Sequence, residues 1–274
     1  MLQWQTLSKG VYSGLSFDIW GIRSKIDSHS RAIFRMPKET NSHIEEFKNF
    51  LKEDIGDASG IVEGISPDKK RIHITKLIFA SAVDRFDHLI DKILLDRVEI
   101  SPILQEELLQ KHEKETLSEK QLYEIFLSDE DPKQRVLENL KNTLRTNVLR
   151  KRHSTKLKKL FESLDINPKI YQTSRVNPNK GVITEQFKKQ DKSIPTSVIG
   201  YADWIYCRRN AIVHGGRSLN LAKYDIDFLE KEYKVKGSAV RVKIRKGSLS
   251  NIQNFYTDLI EKILIEKIDK ISDS

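Results

Sequence analysis

Apolar residues recurring at three- and four-residue intervals constrain this chain most. From about Ile74 to Asp96, residues Phe79, Val83, Phe86, Ile90, Ile93 and Leu94 fall on one face of a helix. A stripe of that length is satisfied only by apolar faces on other elements, so it predicts packed helices. Two further long helices fit the same reading. One runs from about Pro195 to His214, and one from about Ser250 to Ile271 with Ile252, Phe255, Leu259 and Ile263 as its stripe. Shorter helices carry start signals. Ser42-His43-Ile44-Glu45 and Ser118-Glu119-Lys120-Gln121 have capping-box spacing. Ser101-Pro102 and Asp131-Pro132 pair a capping side chain with proline at the first helical position. Val136, Leu140, Leu144 and Val148 form one stripe; Leu157, Leu160, Phe161 and Leu164 form another.

One stretch breaks the helical pattern. Glu232 to Arg245 alternates across Lys236-Gly237-Ser238, which predicts a β-hairpin over about 231–246. Asn177-Pro178-Asn179-Lys180-Gly181 reads as a loop. The expected fold class is therefore all-α, a helical bundle with one inserted hairpin. Residues 1–70 are expected to be a helical region of their own and 71–274 the main domain.

Composition narrows the function classes. Hydrophobic residues make up 38% and charged residues 32%, enough for a real core. No run reaches the length of a membrane span, and Met1 to Ser16 lacks the pattern of a signal peptide. The single cysteine, Cys207, reads as a small buried hydrophobe, and the expected setting is reducing and cytoplasmic. A net charge of +9 favours a polyanionic partner, a nucleic acid or an acidic protein. There is no His-Glu-x-x-His, no cysteine cluster, no P-loop and no Gly-x-Gly-x-x-Gly, so no metal and no cofactor is expected.

The helix ending at His214 holds the most informative side chains. Val198, Ala202, Ile205 and Ile212 lie on one stripe, and Arg209 falls among them. An arginine on a core-facing stripe is costly unless it is paired or functional. Asn210 precedes His214 by four residues, so the two share a face and can hydrogen-bond. Gly215-Gly216 ends the helix, leaving His214 in its last turn, where the dipole favours a protonated ring. Two readings stay open. Arg209 is either a structural cation paired with Asp84 or Asp91, or part of a site with Asn210 and His214.

Arg209-Asn210-Ala211-Ile212-Val213-His214 resembles the Arg-x4-6-His motif of the HEPN superfamily, nucleotide-binding domains of higher eukaryotes and prokaryotes. Ala80-Ser81-Ala82-Val83-Asp84-Arg85-Phe86-Asp87-His88 resembles the first core helix of its RiboL-PSP-like branch. Trp204-Ile205-Tyr206-Cys207-Arg208-Arg209-Asn210, with Asp203 just upstream, is similar to that branch's arginine-bearing helix. The resemblance spans about Lys70 to Ile271. It implies a HEPN-type bundle and a metal-independent endoribonuclease, with His214 acting on the ribose 2′-hydroxyl and Arg209 stabilising the phosphoryl charge. Asn210 would orient the imidazole, and Asp84, His88 and Asp203 would support the site. It also implies a homodimer, RNA as substrate, and the role of a toxin or effector in a prokaryotic defence or toxin–antitoxin system, with an antitoxin or sensor protein as partner. The alternative within the family is a non-catalytic module that binds RNA, a nucleotide or a partner protein.

Two basic runs are candidates for phosphate contact. In the hairpin, Arg241, Lys243 and Arg245 would share one strand face, with Val240, Val242 and Ile244 on the other. Between Arg145 and Lys159, seven basic residues stand with no acid, Arg150 and Arg152 among them. The bland reading of that run is a solvated helix face. Asp84, His88 and Asp91, at i, i+4 and i+7, have spacing that could hold a metal but more often make a polar face.

Overall fold

The computed structural model describes residues 38–112, 131–185, 187, 193–214, 219–236, 242–245 and 247–265. The Ser118 capping box, Gly215-Gly216, the Gly237-Ser238 tip, Arg241 and the end of the last helix at Ile271 lie outside these residues. No helix among the described residues is long and apolar enough to cross a membrane.

The fold is predominantly helical, as the periodicity requires. The first described helix, α1 (Lys38–Asn49), starts before the Ser42 capping box, which therefore sits inside it. The anchor is tertiary: buried Thr40 donates its hydroxyl to Asp96 Oδ2 at 2.7 Å. The chain continues through a π-turn (Phe50–Ile55), which buries Phe50, Leu51 and Ile55, into α2 (Gly56–Glu63).

α3 (Asp68–Ile100) is longer than its expected span at both ends. At 1.5 Å per residue it is about 50 Å long. Phe79, Val83, Phe86, Ile90, Ile93 and Leu94 are all buried, as the stripe requires. α1 and four helices that follow later in the chain pack around α3 in one apolar core. Ile44, Phe47, Leu51 and Ile55 belong to that core, so residues 38–63 pack with the rest of the chain.

Ser101 ends α3 and caps α4 (Pro102–His112), its hydroxyl accepting from Leu104 N at 3.3 Å. Asp131 caps α5 (Pro132–Leu144) through Lys133 N at 3.0 Å. α5 passes into a π-turn (Arg145–Leu149); Leu140, Leu144 and Val148 are buried, but Val136 remains half exposed. α6 (His153–Ser163) buries Leu157, Leu160 and Phe161, and short α7 (Pro168–Gln172) follows.

Residues 173–185 make an irregular turn with isolated antiparallel bridges Ser174–Ser197 and Val176–Ile183. Gly181 has φ +74°, and a Cβ there would lie 1.9 Å from the Asn251 carbonyl oxygen. Only glycine fits both that backbone conformation and that approach. The turn is held to the last helix by Ile183 N donating to Asp258 Oδ2 at 2.6 Å.

α8 (Val198–His214) begins after Pro195 because Ser197 Oγ accepts from Gly200 N at 3.1 Å. α9 (Lys223–Tyr233) and α10 (Ser248–Leu259), with a closing π-turn (Ile260–Ile265), complete the described fold. Cys207 and Ala211 face a small second core with Leu221, Leu229, Val235 and Val242. α8 is thus covered on two sides.

The inserted hairpin does not form among the described residues. Lys231 to Tyr233 are the last turn of α9, and 242–245 carry no strand. The alternation in exposure persists: Val242 is buried, Lys243 and Arg245 are exposed, and Ile244 is intermediate. The backbone partner lies elsewhere, since Val242 N donates to the Leu219 carbonyl at 2.8 Å.

Candidate functional site

The C-terminal half of α8 carries Arg209 against α3. Its Nε lies 2.6 Å from Asp84 Oδ1, off the line of a hydrogen bond, and its Nη1 donates to Asn210 Oδ1 at 3.2 Å. The guanidinium carbon is 6.0 Å from the Tyr206 ring centre, at the outer limit of a cation–π contact. The Arg209 side chain is 21% exposed and Asp84 47%, so the pair sits at the rim of the core with one side open to solvent. Of the two acids that spacing offered, Asp84 is the partner.

His214 is exposed in the last turn of α8. Asn210 turns its amide oxygen to Arg209, and no hydrogen bond joins it to His214. The i, i+4 spacing gave proximity without a bond. Residues 209 and 214 are also about 140° apart around a helix, so one α8 does not present both on the same face.

Behind Arg209 lies a buried ionic cluster that spacing within one helix did not reveal. Lys156 on α6 is almost fully buried and donates to Asp87 Oδ2 at 2.5 Å and to Asp91 Oδ1 at 2.7 Å. His153, fully buried, pairs through Nδ1 with Asp87 Oδ1 at 2.7 Å and stacks on Tyr206 with ring centres 5.2 Å apart. Burial pushes the Asp87 carboxyl up, but His153 and Lys156 outweigh it and hold the group below its ordinary value. At Asp91 burial wins over Lys156 and the carboxyl is raised. The buried side chain of His153 has no route to a substrate.

Asp84, His88 and Asp91 therefore serve three different surroundings. Asp84 goes to Arg209, Asp91 to Lys156, and His88 to an open pocket shared with Asp84. Among the described residues, no group of three or more histidine, cysteine or acidic side chains is arranged to hold a metal.

Asp203 does not touch Arg209. It is 1% exposed, accepts from Ser154 N at 3.1 Å and from the Tyr233 hydroxyl at 2.6 Å, and so ties α8 to α6 and α9. Burial raises its carboxyl despite those bonds, and burial together with Asp203 raises the Tyr233 hydroxyl.

The basic run from Arg145 to Lys159 is mostly consumed by internal pairs. Arg152 donates to buried Asp225 at 2.6 Å and covers the Phe228 ring at 3.8 Å. Lys156 is in the buried cluster, Lys158 faces Glu232, Lys159 binds Glu107 and Glu162, and Arg145 faces Glu138. Arg150 is exposed. Arg152 braces the start of α6 against α9, with its side chain 29% exposed.

Arg208 was not singled out by spacing. Its Nη2 donates to the Lys243 carbonyl at 2.6 Å, its guanidinium covers the Trp204 ring at 4.5 Å, and burial lowers it to about 10. It pins the segment that carries exposed Lys243 and Arg245 beside α8. The signal available in sequence was only its place next to Arg209.

Comparison of the chain with protein-family models, with curated proteins and with solved structures gives no match.

Proposed function

We propose that the chain is a metal-independent endoribonuclease of the HEPN type, working as a homodimer without a cofactor. The observation that carries this reading is Arg209, held at the rim of the core by Asp84 and Asn210, five residues before an exposed His214. An imidazole titrates near neutrality and can take the 2′-hydroxyl proton. A guanidinium offers planar donors to the phosphoryl oxygens as charge builds. Asp84 and Asn210 act here on Arg209, fixing its plane; Asn210 orients the arginine and not the imidazole.

Because one α8 keeps Arg209 and His214 on different faces, two α8 ends are needed to surround one phosphate. A second copy of the chain supplies the other. The resemblance to HEPN proteins adds the role of a toxin or effector, held in check by an antitoxin or sensor protein, in the cytoplasm. Exposed Arg150, Lys243 and Arg245 are the basic residues proposed to meet the RNA backbone.

A second reading has a specific observation in its favour. His214 has no hydrogen bond to Arg209 or Asn210 within the chain, which suits a module that binds RNA or a partner protein without cutting. Product chemistry separates the two. Attack by the 2′-hydroxyl leaves a 2′,3′-cyclic phosphate, and a 2′-deoxy nucleotide at the scissile position resists. Binding without either signature favours the module.

A further inference from the structure

Asp84 also lines an open pocket of about 340 Å³ between α1, the π-turn after it and α3. Buried Phe47 and Phe50 line it together with His43, Arg85, His88, Lys92 and Glu46. The volume is that of a small-molecule site. The Arg85 guanidinium carbon lies 4.1 Å from the centre of the Phe50 ring, a cation–π distance. The guanidinium is therefore in contact with an aromatic ring, while the side chain remains 53% exposed.

The charges around the pocket are only loosely held. Arg85 approaches Asp54 at 3.9 Å and Lys92 approaches Glu46 at 3.8 Å, and both acids are mostly exposed. Solvated pairs at that distance are worth little, so a phosphate can replace the acids at small cost. A flat cation on a rigid aromatic backing accepts an unstacked base, and a lysine beside it accepts a phosphate as a point charge.

We propose that this pocket is a nucleotide subsite, in which a base stacks on the Arg85 guanidinium and its phosphate meets Lys92. Asp84 forms part of its wall and also contacts Arg209, so a nucleotide here lies next in line to the one at Arg209. That continuity rests on the RNA reading above; the stacking site itself does not. A strand occupying both positions would be single-stranded, because a paired base cannot reach the Arg85 plane.

The test is binding of fluorescein-labelled dodecaadenylate to the His214→Ala protein, with adenosine 5′-monophosphate as competitor. Arg85→Lys keeps the charge and loses the plane. It should weaken binding about five- to a hundredfold, the usual worth of one stacked base, with an unchanged salt slope. Lys92→Ala should lower the slope of log K against log salt by about 0.7. Matching thermal melts of Arg85→Lys and the parent exclude misfolding, and His88→Ala provides a second probe of the wall if Arg85→Lys melts early. Competition by the monophosphate at equal strength identifies a free nucleotide as the ligand; weak competition identifies an RNA strand. Binding unaffected by Arg85→Lys and His88→Ala overturns the subsite, as does absence of binding by either probe. Cleavage of RNA with no Arg85 dependence leaves the nuclease reading standing alone; Arg85-dependent binding without cleavage leaves the subsite standing alone.

Discussion

Arg209 Nε and Asp84 Oδ1 are 2.6 Å apart, joining the arginine-bearing end of α8 to the middle of α3. Asp84 is nearly half exposed, so solvent screens the pair and it contributes little to folding, about 1 kcal/mol or less. Its consequence is orientation. Arg209→Lys should lower RNA cleavage by roughly two to three orders of magnitude, as loss of a positioned charge donor does. Asp84→Asn should cost less, and thermal unfolding of both variants should stay close to that of the parent. Full activity in Arg209→Lys would assign the arginine to packing alone.

Lys156 is the opposite case, a cation sealed between two acids. Lys156→Met leaves Asp87 and Asp91, which are 24% and 27% exposed, without their shared partner. The expected loss of stability is about 1–3 kcal/mol, read from denaturant unfolding. An unchanged stability would show that solvent and His153 satisfy both carboxylates without Lys156.

Asp87 and Asp203 should give opposite pH dependences. The Asp87 carboxyl is lowered in the fold, so its contribution is present above the ordinary aspartate value and is lost as pH falls through the lower folded one. The Asp203 carboxyl is raised, so the folded state binds the extra proton and stability falls as pH rises from the ordinary value through the raised one. Asp87→Asn should flatten the acid limb of a stability–pH curve, and Asp203→Asn should remove the fall above it. The same slope change in both variants would contradict these assignments.

Much of the fold was legible because its signals are local. Ser101-Pro102 and Asp131-Pro132 cap helices through their own side chains, and the stripe of α3 needs only 3.6-residue periodicity. The start of α1 was not legible, since Thr40 is fixed by Asp96, 56 residues away. The hairpin reading meets the same limit. Alternation at 242–245 does describe exposure, but among the described residues the segment carries no strand and is held by Leu219 and Arg208. At the site, an arginine on an apolar stripe pointed to Asp84. The links of Asp87 with His153 and Lys156 span 66 and 69 residues, and no spacing within one helix encodes them.

Gly181→Ala tests the turn that fastens residues 173–185 to the last helix. With φ +74° and a carbonyl oxygen 1.9 Å from the new Cβ, the turn must move away from Asn251. A loss of about 1–3 kcal/mol is expected, read as a lower Tm. An unchanged Tm would show that the turn and α10 are not rigidly joined.

Single-turnover cleavage of RNA in EDTA, comparing the parent with His214→Ala, decides whether His214 drives a metal-free cut. The parent should cut at full rate in EDTA, and His214→Ala should lose roughly two to four orders of magnitude. Full activity in His214→Ala, or loss of cleavage in EDTA with recovery on adding a divalent metal, would contradict it.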